Sequence, residues 1–116
     1  MIDFRNYSDL IRKCVAEENE KDKNWKWSVR SIGKNKVRIC WGYLDYLEEK
    51  NNCFSITANG YPDDDFVSND IVYRHPSGGM ISFTSFGKMP GNTADTIEEA
   101  IEQAIRGIAR YAHSRY

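Results

Sequence analysis

The sequence predicts an α+β fold, a two-layer sandwich in which an antiparallel sheet of about five strands is flanked by an N-terminal helix and a long C-terminal helix. Three observations predict it. Apolar residues recur at three-to-four spacing in the opening segment, apolar and polar residues alternate between turn signals through the middle, and a regular helical stripe closes the chain. With 116 residues the chain makes one domain, 1–116, large enough to bury roughly two thirds of its unfolded surface.

In the opening segment Phe4, Tyr7, Leu10, Ile11 and Cys14 share one face of a helix, with Asp3 or Asn6 as cap and the charged run after Ala16 as its solvated exit. Trp25, Trp27 and Val29 then alternate with Lys26, Ser28 and Arg30, and "IGKNK" turns the chain. On the return strand Val37, Ile39, Trp41 and Tyr43 fall on one face and Lys36, Arg38 and Cys40 on the other, which makes a hairpin with one buried side. A third strand at "CFSITANGY" buries Phe54, Ile56 and Ala58 and ends at Asn59-Gly60. Two more strands lie in "DIVYRHPSGGMISFTSFG", joined by "HPSGG". In the second of them Ile81 and Phe83 are expected inward and Ser82 and Thr84 outward, which leaves Met80 and Phe86 on the outward set. The closing segment places Ile97, Ala100, Ile101, Ala104, Ile105, Ile108 and Ala112 on one stripe, and Thr96 with Glu99 forms a capping box. From Asp95 to His113 such a helix spans roughly 28 Å. Both helices pack on the apolar face of the sheet.

The net charge of -1 conceals a polar layout: residues 1–43 hold ten basic and six acidic side chains, residues 44–70 one and seven, and residues 71–116 five and four. Such fields act on partner choice and association rate. The first twenty residues carry Asp3, Arg5, Asp9, Arg12 and Lys13 and no apolar core. The expectation is therefore neither a secretory signal nor a membrane span, and a cytoplasmic location. Cys14, Cys40 and Cys53 are odd in number and lack a CxxC spacing. They are expected as small reduced side chains, with Cys40 on an outward strand face.

No motif points to catalysis. "YPDDDFVSND" fails the calcium-loop pattern, because Val67 and Ser68 stand at the fifth and sixth positions counted from Asp63 and strands flank it. The glycines of "GGMISFTSFGK" lack Walker spacing, and neither His75 nor His113 stands at a ligand spacing from a cysteine. No metal, cofactor or catalytic residue is assigned, and the chain is expected not to be an enzyme. Two charged sectors remain as partner-binding candidates. One is the acidic stretch with Asp63, Asp64, Asp65 and Asp70; the other is the basic hairpin, which presents Lys26, Arg30, Lys36 and Arg38. A basic stripe with aromatics can also signal nucleic acid, but the three tryptophans share the buried face.

Residues 75–104, "HPSGGMISFTSFGKMPGNTADTIEEAIEQA", are similar to the HicB antitoxin pattern, in which a GG turn and a strand lead through a Pro-Gly step to a helix opening DT-x-EEA. No site residue is carried over from it. In layout the chain resembles the small helix-sheet-helix proteins of phages and mobile elements, which include anti-defence inhibitors and toxin-immunity proteins. The resemblance implies a non-catalytic protein that acts by binding another protein, as a small inhibitor or accessory protein. A nucleic-acid-binding accessory domain is the alternative, a small-molecule binder or enzyme the third reading, and a homodimer through the open sheet face or an edge strand stays open.

Overall fold

The computed structural model describes residues 2–21, 26–42, 53–59, 69–88 and 90–115. Asp3 opens the chain by accepting the Arg5 backbone N–H at 3.0 Å, starting a 3-10 turn, Phe4–Tyr7, that runs into helix α1, Ser8–Lys21. Five antiparallel strands follow in sequential order: β1 Lys26–Ile32, β2 Lys36–Gly42, β3 Cys53–Asn59, β4 Asn69–Arg74 and β5 Met80–Phe86. Helix α2, Ile97–Arg115, closes the chain. Its start is capped as expected, with the Glu99 N–H donating to Thr96 Oγ1 at 3.2 Å and the Glu99 carboxylate accepting from the Asp95 N–H.

Both helices lie on one face of the sheet, α1 against β1 and α2 against β4 and β5. The core between the layers joins Phe4, Ile11, Cys14 and Val15 to Val37, Ile39, Phe54, Ile56 and Ile71, under the α2 stripe from Ala100 to Ala112. Trp27, Trp41 and Phe54 meet there with ring centroids 6.1 to 6.3 Å apart, a tilted packing favoured by the ring quadrupoles. Tyr73 reaches α2 at Gly107, where an added Cβ would stand 2.6 Å from the Tyr73 hydroxyl.

The structure corrects three expectations. The charged run after Ala16 is not an exit from the helix. α1 continues to Lys21, and Glu18 is buried because Arg106 of α2 meets it at 2.7 Å and Lys21 at 2.9 Å, while Glu17 also pairs with Arg106. The faces of β5 are reversed. Pairing with β4 sets Thr84 opposite core residue Ile71 and Ser82 opposite Tyr73, and a bulge in the β4–β5 pairing follows. Thr84 is therefore buried, Phe86 packs on the core, and Phe83 is 54% exposed. Finally, Cys40 and Cys53 are not reduced side chains. They stand directly opposite each other on β2 and β3 and are joined by a disulfide, so Cys40 is buried rather than accessible, and Cys14 is the free cysteine. Trp25 and Tyr43 lie outside the described residues.

Candidate functional site

Strand pairing arranges the sheet face away from the helices into rows. Ser31, Arg38, Ser55, Arg74 and Met80 form one row across all five strands. Beside it run Lys36, Thr57, Val72 and Phe83. Neighbouring strands lie about 4.8 Å apart, so Arg38 and Arg74, one strand between them, stand roughly 10 Å apart at the backbone. Lys36, Arg38, Met80 and Phe83 are exposed and Arg74 is half-buried. A cationic centre thus sits beside a short apolar margin at the β5 edge.

Of the residues singled out from sequence, Lys36 and Arg38 come together at this centre. Lys26 is exposed on the same face but lies opposite Gly42, four positions along β2 from Arg38, or roughly 13 Å at the rise of a strand. Arg30 is exposed at the β1 bulge between Val29 and Ser31. Asp70 lies on this face too, opposite Ser85. Asp63, Asp64 and Asp65 lie outside the described residues. Arg74, Met80 and Phe83 were missed. Arg74 was legible in principle, since it follows Val72 by two positions and so opposes the Ile71 and Tyr73 face; Phe83 was not, because its side depends on the β4–β5 register.

Several other ionisable groups among the described residues are engaged in the fold. At Glu18 burial pushes the carboxyl pKa up, but hydrogen bonds from Arg106 and Lys21 outweigh it and leave the pKa below the ordinary value. The Arg106 pKa is raised by its hydrogen bonds to Glu18, Glu17 and Glu102. Asp3 is lowered to about 2 by its hydrogen bonds with Arg5. The Cys14 thiol is pushed up by burial, which makes it a poor nucleophile. His75 Nδ1 accepts the Ser77 N–H at 3.1 Å and lies 3.0 Å from its hydroxyl. This contact closes the β4–β5 turn, where His75 and Gly79 also share a backbone bond. Among the described residues no three His, Cys, Asp or Glu side chains gather to hold a metal ion, and no helix is long and apolar enough to cross a membrane.

No family model, curated protein or solved structure matches this chain.

Proposed function

We propose that the chain works by binding another protein without catalysis, presenting the exposed cations of the sheet face away from the helices to an acidic surface of its partner. The observation that supports this reading is the cationic centre of Lys36, Arg38 and Arg74, interleaved with Ser31, Ser55 and Thr57 and bordered by exposed Phe83 and Met80. Short hydroxyl side chains leave the cations reachable, and the apolar margin supplies area that a desolvated contact can use. Nucleic acid is the second reading. Against it stands the burial of Trp27 and Trp41 on the helix side, which takes these two rings out of reach of a base.

Whether the partner is the target of a small inhibitor or the toxin of an immunity protein rests on layout alone. A cytoplasmic location rests on the charges of the opening segment, and the Cys40–Cys53 disulfide is the observation opposed to it, since such bonds persist in oxidising compartments. Quenching cells in acid and then alkylating the thiols under denaturing, non-reducing conditions decides that point: one alkylated cysteine indicates an oxidising location, three a reducing one.

The test of function compares tagged wild type with Lys36→Glu/Arg38→Glu/Arg74→Glu in a nuclease-treated lysate of the native host. A protein retained stoichiometrically by wild type and lost from the variant, with unchanged circular dichroism, supports the reading. Equal retention by both proteins overturns the assignment to this face, and capture that vanishes with nuclease moves nucleic acid to the front.

A further inference from the structure

Between β5 and α2 lies a groove of about 490 Å³, within the size range of ligand sites. Phe83 apart, none of its lining residues belongs to the face assigned above to the acidic partner. α2 supplies one wall. Glu99, Gln103 and Arg110 follow one another along one side of that helix, at spacings of four and seven residues, and all three are exposed. Tyr73 and Thr84 line the side towards the sheet.

Some polar groups of the groove are already bonded and others are available. Arg106 is committed to Glu17, Glu18 and Glu102. Among the described residues the Arg110 guanidinium has no ion pair or hydrogen bond, and neither has the Tyr73 hydroxyl. The two are neighbours: the Tyr73 hydroxyl rests against α2 at Gly107, where the missing side chain makes room for it, and Arg110 follows about one turn later. Gln103 is held in place by the Thr84 hydroxyl, which donates to its Oε1 at 2.7 Å, and by the Thr93 carbonyl, which accepts from its Nε2 at 2.9 Å. A side-chain amide has two donor hydrogens and two acceptor lone pairs, so Gln103 keeps one of each in a fixed position. Glu99 accepts the Asp95 N–H on Oε2 alone.

We propose that this groove binds the C-terminal end of an extended peptide, with the terminal carboxylate at Arg110 and Tyr73, a peptide amide at Gln103 and a basic side chain at Glu99. The site is separate from the cationic centre and does not rest on it. Each part follows from chemistry in the groove. A guanidinium pairs with a carboxylate through two parallel hydrogen bonds, and the phenol adds a third donor. A phosphate dianion suits the place less well, since Glu99 and Glu102 line the same groove and repel its second charge. Gln103 offers a donor and an acceptor side by side, the pattern that a peptide amide completes. Spacing then selects an extended chain. Along α2 Gln103 lies about 10.5 Å and Glu99 about 16.5 Å from Arg110, at 1.5 Å per residue. An extended peptide advances roughly 3.4 Å per residue, so the third residue from its end meets Gln103 and the fifth meets Glu99. A free amino acid is too short to reach both charges.

NMR titration of the isotope-labelled chain with the synthetic peptide acetyl-Lys-Ala-Ala-Ala-Ala, carrying a free carboxylate, tests the proposal. Saturable amide shifts are expected around Gln103 and Gly107 at about 1 mM peptide or below. The same peptide with a C-terminal amide should bind about tenfold more weakly. Arg110→Gln, at an exposed position, should weaken the free acid by a similar factor and remove the difference between acid and amide. A peptide with glutamate in place of lysine should also bind less tightly. Lys36→Glu/Arg38→Glu/Arg74→Glu should take up the peptide as wild type does, which separates a failure of this site from a failure of the partner face. The proposal is overturned if no shift saturates up to about 10 mM peptide, or if acid and amide bind alike. It is overturned equally if inorganic phosphate binds the groove more tightly than the peptide does, or if the shifts gather around Lys36 and Arg38 instead.

Discussion

Glu18 shows how much a single side chain depends on its partners. It is 4% exposed, and a buried carboxylate is tolerated only when it is paired and hydrogen-bonded. Arg106→Met removes the nearer of its two cations and should destabilise the fold by about 3 kcal/mol at neutral pH, measured by urea unfolding. The pH dependence carries the sign of the linkage. With its folded pKa held below the unfolded value of 4.5, wild-type Glu18 contributes stability that is present above that value and is lost as pH falls through the folded pKa. In Arg106→Met burial dominates and raises the pKa, so acidification relieves the variant. The gap between the two proteins should narrow as the pH falls from neutral past 4.5, and a constant gap would show that Glu18 is not the group responsible. Gly107 is a second case. Gly107→Ala brings a Cβ within 2.6 to 3.0 Å of the Tyr73 ring, and despite the gain in helix propensity the overpacking should cost about 1 to 3 kcal/mol. Unchanged stability would mean that Tyr73 moves freely.

At the scale of elements, the hairpins and the helix starts follow local rules, while the edges are managed by contacts between elements. Asn19 sits in α1 but completes β1. Asn19→Ala should leave both Trp27 backbone groups without that partner at a cost of about 2 kcal/mol, and hydrogen exchange at the Trp27 amide should accelerate well before that of β2. If Trp27 exchanges no faster than in wild type, water or another group replaces the side chain. The β5 phase belongs to this scale too. Its alternating apolar residues fit either face, and pairing with β4, interrupted by the bulge near Arg74, selects the arrangement that buries Thr84 against Gln103 and Thr93.

For the whole molecule the disulfide is the most consequential long-range bond outside the core, because it ties β2 to β3 across a sequence separation of 13 residues. Closing a loop of that size restricts the unfolded chain by about 3 kcal/mol in the entropic account. Denatured, unreduced protein should therefore show one titratable thiol, from Cys14, and three after reduction, with a lower urea midpoint for the reduced form. Three thiols without reductant would remove the cross-link from the account of stability. The layout of charge also resolves only at this scale. Lys36 and Arg38 are neighbours in sequence, but Arg74 joins them through two strand pairings, and the cationic centre exists only once β4 lies beside β3.

The sequence by itself determined the α+β class, the order of two helices and five strands, the buried side of β1 to β3 and the capped start of α2. These features are written in periodicity and turn chemistry within a few residues, and they are legible wherever one face of an element is consistently apolar. The tertiary structure decided the β5 faces, the continuation of α1 to Lys21, the Cys40–Cys53 bond, the approach of Arg74 to Lys36 and Arg38, and the side taken by Phe83. Each depends on which residues meet across a register or between layers. Glu18 meets an arginine 88 residues away, and no local pattern records such a partner, because the free energy that selects it arises only when the two helices pack together.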